Sequence, residues 1–249
     1  MSVVDTISRR QVLALGAGVA AACLGAGANA GLPRPVVVEL FTSQGCSSCP
    51  PADAFFKELR ALPNVVALSY HVDYWDYLGW KDTLGSAACS QRQYDYARAR
   101  GDMNVYTPQM IVDGRGHLVG SKRPAVLEAI RRAQGLPKGI SLSLDYKGRE
   151  MTIEIGSSTS APESTVWLMP VIPKVAVKIL RGENAGREII YYNVVRTPMP
   201  AGMWSGEAKT LSLPKDAVLG SGVKGCVALL QQGKTGPILG SARWGDLTA

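Results

Sequence analysis

The side chains of this chain best suited to covalent chemistry are two cysteines, Cys46 and Cys49, separated by Ser47 and Ser48 and followed by Pro50 and Pro51. The attacking species in thiol–disulfide exchange is a thiolate. A C-x-x-C pair therefore becomes useful where the anion is favoured, as at a helix start with unpaired N–H groups and the positive end of the dipole. The flanking residues predict that setting. Residues 36–41 form a continuous apolar run, residues 42–45 a polar bend, and Ala52, Phe55, Phe56, Leu59 and Leu62 recur at helical spacing. Cys46, nearest the free N–H groups, is the expected nucleophile and the more exposed sulfur, with Cys49 as the resolving thiol. Pro50 has no N–H and Pro51 disfavours helical geometry before it, so an irregular first turn or a start at Pro51 is expected.

Two other chemistries compete for the same residues. A zinc site needs four ligands, and one C-x-x-C supplies two. His71 is a conceivable third, and two thiolates alone suit Cu(I). His117 falls in a hairpin, away from the dithiol. A non-catalytic binding protein is the third reading, with Tyr74, Trp75, Tyr77 and Trp80 as an aromatic segment that clamps a ligand or simply packs as core. No nucleophile elbow, Walker loop or dinucleotide fingerprint is present, and no cofactor is called for.

Composition narrows the class. Hydrophobic residues at 46% against 19% charged describe a globular chain rather than a disordered one. The formal charge of +7 is spread without a long basic run, which argues against a nucleic-acid partner. The N-terminus reads as an export signal over residues 1–30. Ser8-Arg9-Arg10-Gln11-Val12-Leu13 is similar to the twin-arginine consensus, an apolar stretch too short to span a membrane follows, and Ala28-Asn29-Ala30 offers a cleavage site. Cleavage after Ala30 leaves a periplasmic or secreted chain with no integral membrane segment. A retained anchor and a lipoprotein acylated at Cys23 are the alternatives. Four cysteines then remain, and Cys89 and Cys226 either pair or stay as two separately buried thiols.

The elements that must hold the dithiol follow in order. Residues 65–72 read as a second strand, parallel to the first across the intervening helix. Parallel strands end at the same sheet edge, so the segment from Asp73 to Asp82 emerges beside Cys46. Residues 86–100 have helical composition. Residues 109–112 and 117–120 form a hairpin about Asp113-Gly114, and a helix carrying Val126, Leu127 and Ile130 closes by Pro137. From Ile140 the period switches to two, with short strands at turn-rich spacing that suggest a β-sandwich. Residues 181–187 read as a polar hairpin loop.

A dithiol on a βαβ unit, then Thr107-Pro108, a hairpin and a helix resembles the thioredoxin fold. That resemblance implies a cis Pro108 facing the dithiol, a groove lined by Thr107, His71, Asp73 and Trp75, and a buried acid at Glu39 that takes a proton from Cys49. More closely, residues 38–53, His71-Val72-Asp73-Tyr74-Trp75-Asp76, Leu78-Gly79-Trp80-Lys81-Asp82 and Tyr106-Thr107-Pro108-Gln109-Met110 resemble the secreted bacterial family called domain of unknown function 1223. The combined expectation is an α/β thioredoxin-like domain over residues 31–138 and a β-sandwich-like domain over 139–249. The expected activity is thiol–disulfide exchange on protein or small-molecule thiol substrates. A copper or zinc module and a binding protein are the alternatives.

Overall fold

The computed structural model describes residues 34–137 and 139–247, so the expected export signal lies outside the described residues. No described helix is long and apolar enough to cross a membrane.

Strand β1 (Val36–Thr42) is buried along its whole length, as a mainly apolar, β-branched run implies for a central strand, and it carries Glu39 inside with it. After the bend comes helix α1 (Pro50–Leu59), then strand β2 (Val65–His71), which pairs with β1 in parallel from Val36↔Val65 to Thr42↔His71. Helix α1 begins at Pro50, and both prolines occupy its first two positions, where a missing N–H breaks no helical bond. A 3₁₀ turn (Asp76–Leu78) leads to α2 (Ala87–Arg100), whose N-cap Ser86 accepts the Cys89 N–H. Strands β3 (Gln109–Val112) and β4 (Gly116–Val119) form the hairpin, with Asp113 and Gly114 at φ 57° and 67°. Helix α3 (Arg123–Gln134) follows. The remainder is mainly strand: β5 (Leu142–Lys147), β6 (Glu150–Ile155), β7 (Ser164–Lys178), β8 (Glu188–Val195), β9 (Met199–Trp204), β10 (Lys209–Pro214), β11 (Gly225–Gln232) and β12 (Ile238–Gly245).

The expected fold class is corrected here. The chain is mostly β, and an α/β thioredoxin-like domain with a β-sandwich behind it is not what forms. Nine strands make one mixed sheet in the order β12-β11-β7-β8-β2-β1-β3-β4, with β9 added to β7, while β10-β6-β5 form a second sheet. The reason lies at the outer edge of β2, which would otherwise present unpaired N–H and C=O groups. Strand β8 covers that edge in parallel at Ser69↔Val194. Ser69 Oγ donates to Tyr192 O at 2.9 Å, and Asn193 Nδ2 donates to Ala67 O at 3.0 Å. The fifteen residues of β7 then bind β9 and β11 with their first half and β8 with their second. The change of period near Ile140 marks a change of local structure, and it carries no information about which edges pair.

Side-chain parity along β1 places the cores. Val36, Val38 and Leu40 face α1 and α3, packing with Ala52, Phe55, Phe56, Leu59, Val126 and Ile130. Val37 and Phe41 face the other side, with Tyr70, the α2 residues Cys89 and Tyr96, and Trp167 of β7. Phe41 stacks on Tyr70 at 5.1 Å and meets the edge of Tyr96 at 6.3 Å. A third core lies between the second sheet and β7, β9 and β11, where Met151, Ile153, Leu168, Trp204 and Leu230 are buried. Each such side chain contributes about 1.5–3 kcal/mol by leaving water.

Candidate functional site

The dithiol sits at the end of β1 and the first turn of α1, and the two cysteines are joined as a disulfide. Cys46 is 3% exposed and Cys49 fully buried, while Ser47 and Ser48 between them face solvent. The order of exposure is the expected one, but both sulfurs are nearly covered. The prolines change the electrostatics. They remove the first two N–H groups of α1, and the next two, from Ala52 and Asp53, both donate to Cys49 O at 2.8 and 3.1 Å. The polar group beside Cys46 is instead a hydroxyl: Ser48 Oγ lies 3.4 Å from Cys46 Sγ and donates to Thr107 O at 3.3 Å.

That contact joins the dithiol to the Thr107–Pro108 segment, where the peptide bond is cis. Pro108 is buried against the root of α1: a Cβ built on Gly120 would lie 3.3 Å from both Pro108 Cβ and Ala52 Cβ, a tight approach. Thr107 Oγ1 accepts from Trp75 Nε1 at 2.7 Å. Trp75 also closes on the bend, and any Cβ on Gly45 would stand 3.2 Å from its own. Thus Cys46, Cys49, Thr107, Pro108 and Trp75 come together. Asp73 does not join them. Its backbone N–H donates to Ser90 Oγ, and its carboxylate accepts from that hydroxyl, so it is tied to α2.

Glu39 is fully buried, but parity puts it on the α2 face of the sheet, opposite α1. Arg92 Nε donates to Glu39 Oε1 at 2.8 Å, and the Tyr96 hydroxyl donates to Oε2. Arg92 also donates to Gln231 Oε1 at 3.0 Å, so one guanidinium binds α2 to β1 and β11. Burial alone would lower the pKa of Arg92, but the Glu39 carboxylate together with Tyr96 and Tyr70 outweighs it and holds the guanidinium charged. A second buried carboxylate lies on α1. Asp53, one helical turn after Cys49 and so on the same face of α1, is buried, and its Oδ1 accepts from Thr42 Oγ1 at 2.8 Å. Burial pushes its pKa up to about 7, against the opposing pull of His71 and of the Thr42 hydroxyl.

His71 ends β2 beside Thr42 and is fully buried. Its Nδ1 is 2.9 Å from Asp82 Oδ2, an oxygen that also accepts the Gln44 N–H at 2.8 Å. Burial drives the Asp82 pKa upward, but His71 and the Gln44 and Leu84 N–H groups together hold it below the usual carboxylate value. Gln44 in turn accepts from Trp80 Nε1 at 2.8 Å. The dithiol bend is therefore pinned to residues 80–84.

Residues 179–187, the turn between β7 and β8, do more than the expected polar loop. Buried Asn184 donates through Nδ2 to Gln44 O and to Cys46 O, both at 2.9 Å, and Glu183 Oε2 accepts the Ser47 N–H at 3.3 Å. The β-rich half thus reaches across to grip the dithiol bend. Replacing Asn184 with Ala is expected to remove the side-chain donor from both carbonyls, leaving Cys46 O with only the Cys49 N–H at 3.2 Å, and to cost about 1–3 kcal/mol. Urea denaturation measures the loss, and reduction of the disulfide by a small thiol should accelerate in the same variant.

Several of these residues escaped the sequence reading. Asp53 left a signal, a single carboxylate within an apolar helical face four residues after Cys49. Asp82 stood inside a quoted motif. Asn184 stood inside the 181–187 stretch read as a polar loop, and nothing local pointed to partners 138 and 140 residues away. Cys89 and Cys226 are free, buried thiols, and burial pushes their pKa values up to about 11 and 12, so they stay protonated and inert. Among the described residues no three His, Cys, Asp or Glu side chains are grouped so as to hold a metal ion.

Comparison with known proteins places the chain in a family of unknown function. None of the curated proteins compared matches the chain. A crystal structure of an Agrobacterium tumefaciens protein is similar, with 35% identity and a TM-score of 0.75 over 86% of this chain and 95% of that one. HBP35 of Porphyromonas gingivalis shares the fold at 14% identity, with a TM-score of 0.55 over 86% of this chain and 76% of that one. The model of the family described as protein of unknown function DUF1223 matches residues 37–231, and the chain belongs to that family.

Proposed function

We propose that the protein is an exported thiol–disulfide exchange protein acting through the Cys46–Cys49 pair on protein or small-molecule disulfides and thiols. The observation that carries this reading is the position of the disulfide. It lies where β1 meets α1, with Cys46 bounded by exposed Ser47 and Ser48, and with a hydroxyl and the Thr107–Pro108 backbone against it. Cys46 would attack or be attacked, and Cys49, buried behind it, would resolve the mixed disulfide. Thr107, Pro108 and Trp75 would shape the approach, with His71 beneath.

A second reading has an observation of its own. Both sulfurs are almost covered, as in a disulfide that only staples the bend. Paired substitutions separate the two. With Cys49→Ser, Cys46 should hold a mixed disulfide with a thiol-reactive partner such as oxidised glutathione. With Cys46→Ser, adducts and exchange activity should both be lost. Equal and negligible adducts from both variants would favour the staple. Near-stoichiometric zinc or copper in the purified wild type, lost in either variant, would favour the metal module.

A further inference from the structure

We infer that Asp53 is the proton-accepting partner of Cys49, held for that role in a buried polar compartment with His71, Asp82 and Tyr191. The inference rests on the exchange reading above and names the group that moves its proton.

The compartment is built from four directions. Asp53 comes from α1, His71 from β2, Asp82 from the segment after it, and Tyr191 from β8, with the Thr42 hydroxyl of β1 closing the near side. The imidazole of His71 meets the Tyr191 ring edge-on at 4.5 Å. No other charged side chain on α1 is buried with Asp53. Three polar atoms here are buried without a hydrogen-bond partner: Asp53 Oδ2, His71 Nε2 and the Tyr191 hydroxyl. Buried polar atoms are nearly always paired, and each orphan costs free energy. Asp53 Oδ2 is thus left with acceptor capacity inside the compartment, one helical turn from Cys49.

Asp53 fits the chemistry in position and in strength. One helical turn from Cys49, its side chain shares that residue's face of α1. Its raised pKa lets it exist in both protonation states near neutrality, which suits a group that takes a proton and gives it back. His71 and Asp82 act on Asp53 at one remove and are positioning residues. His71, oriented by Asp82 through Nδ1, draws the Asp53 pKa down, while the Asp82 charge draws it up. Tyr191 stays a neutral hydroxyl, its pKa raised by burial and by the two carboxylates.

The step balances as follows. A mixed disulfide links Cys46 to a substrate sulfur. The Cys49 thiol passes its proton to the Asp53 carboxylate, and the thiolate attacks Cys46 Sγ. The Cys46–Cys49 bond forms as the Cys46–substrate bond breaks, and the substrate sulfur leaves with the electron pair. Asp53 then returns the proton to that thiolate or to solvent. The protein's dithiol is oxidised by two electrons and the substrate disulfide is reduced by two.

The test is single-turnover exchange of the reduced protein with Ellman's reagent, with formation of the Cys46 adduct and its resolution by Cys49 followed separately across pH. Wild-type resolution should rise through an inflection near pH 7. Asp53→Asn should form the adduct normally, resolve it at least about tenfold more slowly at neutral pH, and lose the inflection. Thr42→Val, which removes a hydrogen bond that favours the carboxylate, should move the inflection to higher pH while leaving adduct formation intact. Resolution by Asp53→Asn at the wild-type rate and pH profile overturns the role of Asp53. If Asp53→Asn fails to fold, an unmoved inflection in Thr42→Val overturns it instead. If the wild type forms no Cys46 adduct at all, the exchange reading itself falls, which is a distinguishable failure.

Discussion

Glu39→Gln is expected to destabilise the protein by about 3–5 kcal/mol, because it leaves the buried Arg92 guanidinium without its counter-charge. The side chains of Glu39 and Arg92 are 0% and 2% exposed and their ion pair is 2.8 Å long, so solvent does little to screen the loss. The remaining partners of Arg92 are neutral: the Tyr96 hydroxyl, Gln231 Oε1 and the faces of Tyr70, Tyr96 and Trp167. They accept or stack against the cation but do not neutralise it. For a chain of this size the loss corresponds to a fall in Tm on the order of 10 °C. Denaturant and thermal unfolding of the two proteins measure it. A change below about 1 kcal/mol would contradict the view that this pair anchors α2 to β1. The same substitution bears on the first expectation for Glu39. Its place on the α2 face predicts lost stability with little effect on the pH profile of exchange.

Asp53→Asn is expected to do the reverse and stabilise the protein at neutral and alkaline pH. The folded protein holds Asp53 protonated up to about pH 7, whereas the unfolded chain ionises it near 3.8. Between those values the folded state binds more protons, so the stability from this group, complete below pH 4, is lost as pH rises towards 7. Asparagine has no such loss. The two proteins should match in acid, diverge by about 1.4 kcal/mol per pH unit, and level off above pH 7 at about 4 kcal/mol. His71, Asp82 and Tyr191 remain in both proteins, so the difference curve isolates Asp53. Urea unfolding from pH 3.5 to 8 measures it. A difference that stayed flat would show that Asp53 is ionised in the fold and refute its use as a proton store. A stabilising substitution that slows chemistry is the pattern of a residue kept for function at a cost to the fold.

The local elements could be read directly from residues. The apolar run of β1, the helical spacing after Cys49, the Asp113-Gly114 turn and the period-two segments beyond Ile140 all form what their patterns imply. Pro108 and its cis bond came from family likeness alone, since nothing in a Thr-Pro dipeptide specifies the isomer. Glu39 was legible as a buried acid, while its partner Arg92 on α2 was not. The alternation that turns Leu40 and Thr42 to α1 turns Glu39 and Phe41 to the other face, and parity counted back from Thr42 along β1 separates them. What no local pattern carries is the pairing of β2 with β8, which merges the two halves into one sheet, and the reach of Asn184 to the Cys46 carbonyl. Both depend on contacts more than a hundred residues apart, where only edge satisfaction decides the partner.

The central claim is that the Cys46–Cys49 disulfide cycles. Its most direct test is the reduction potential of the purified protein, equilibrated in glutathione or dithiothreitol buffers, with the state of each cysteine read by alkylation and mass spectrometry. Reversible interconversion of that pair at a potential above about −300 mV, with Cys89 and Cys226 unchanged as thiols throughout, is the predicted result. A pair that stays oxidised to below about −300 mV would mark a structural staple and contradict the account.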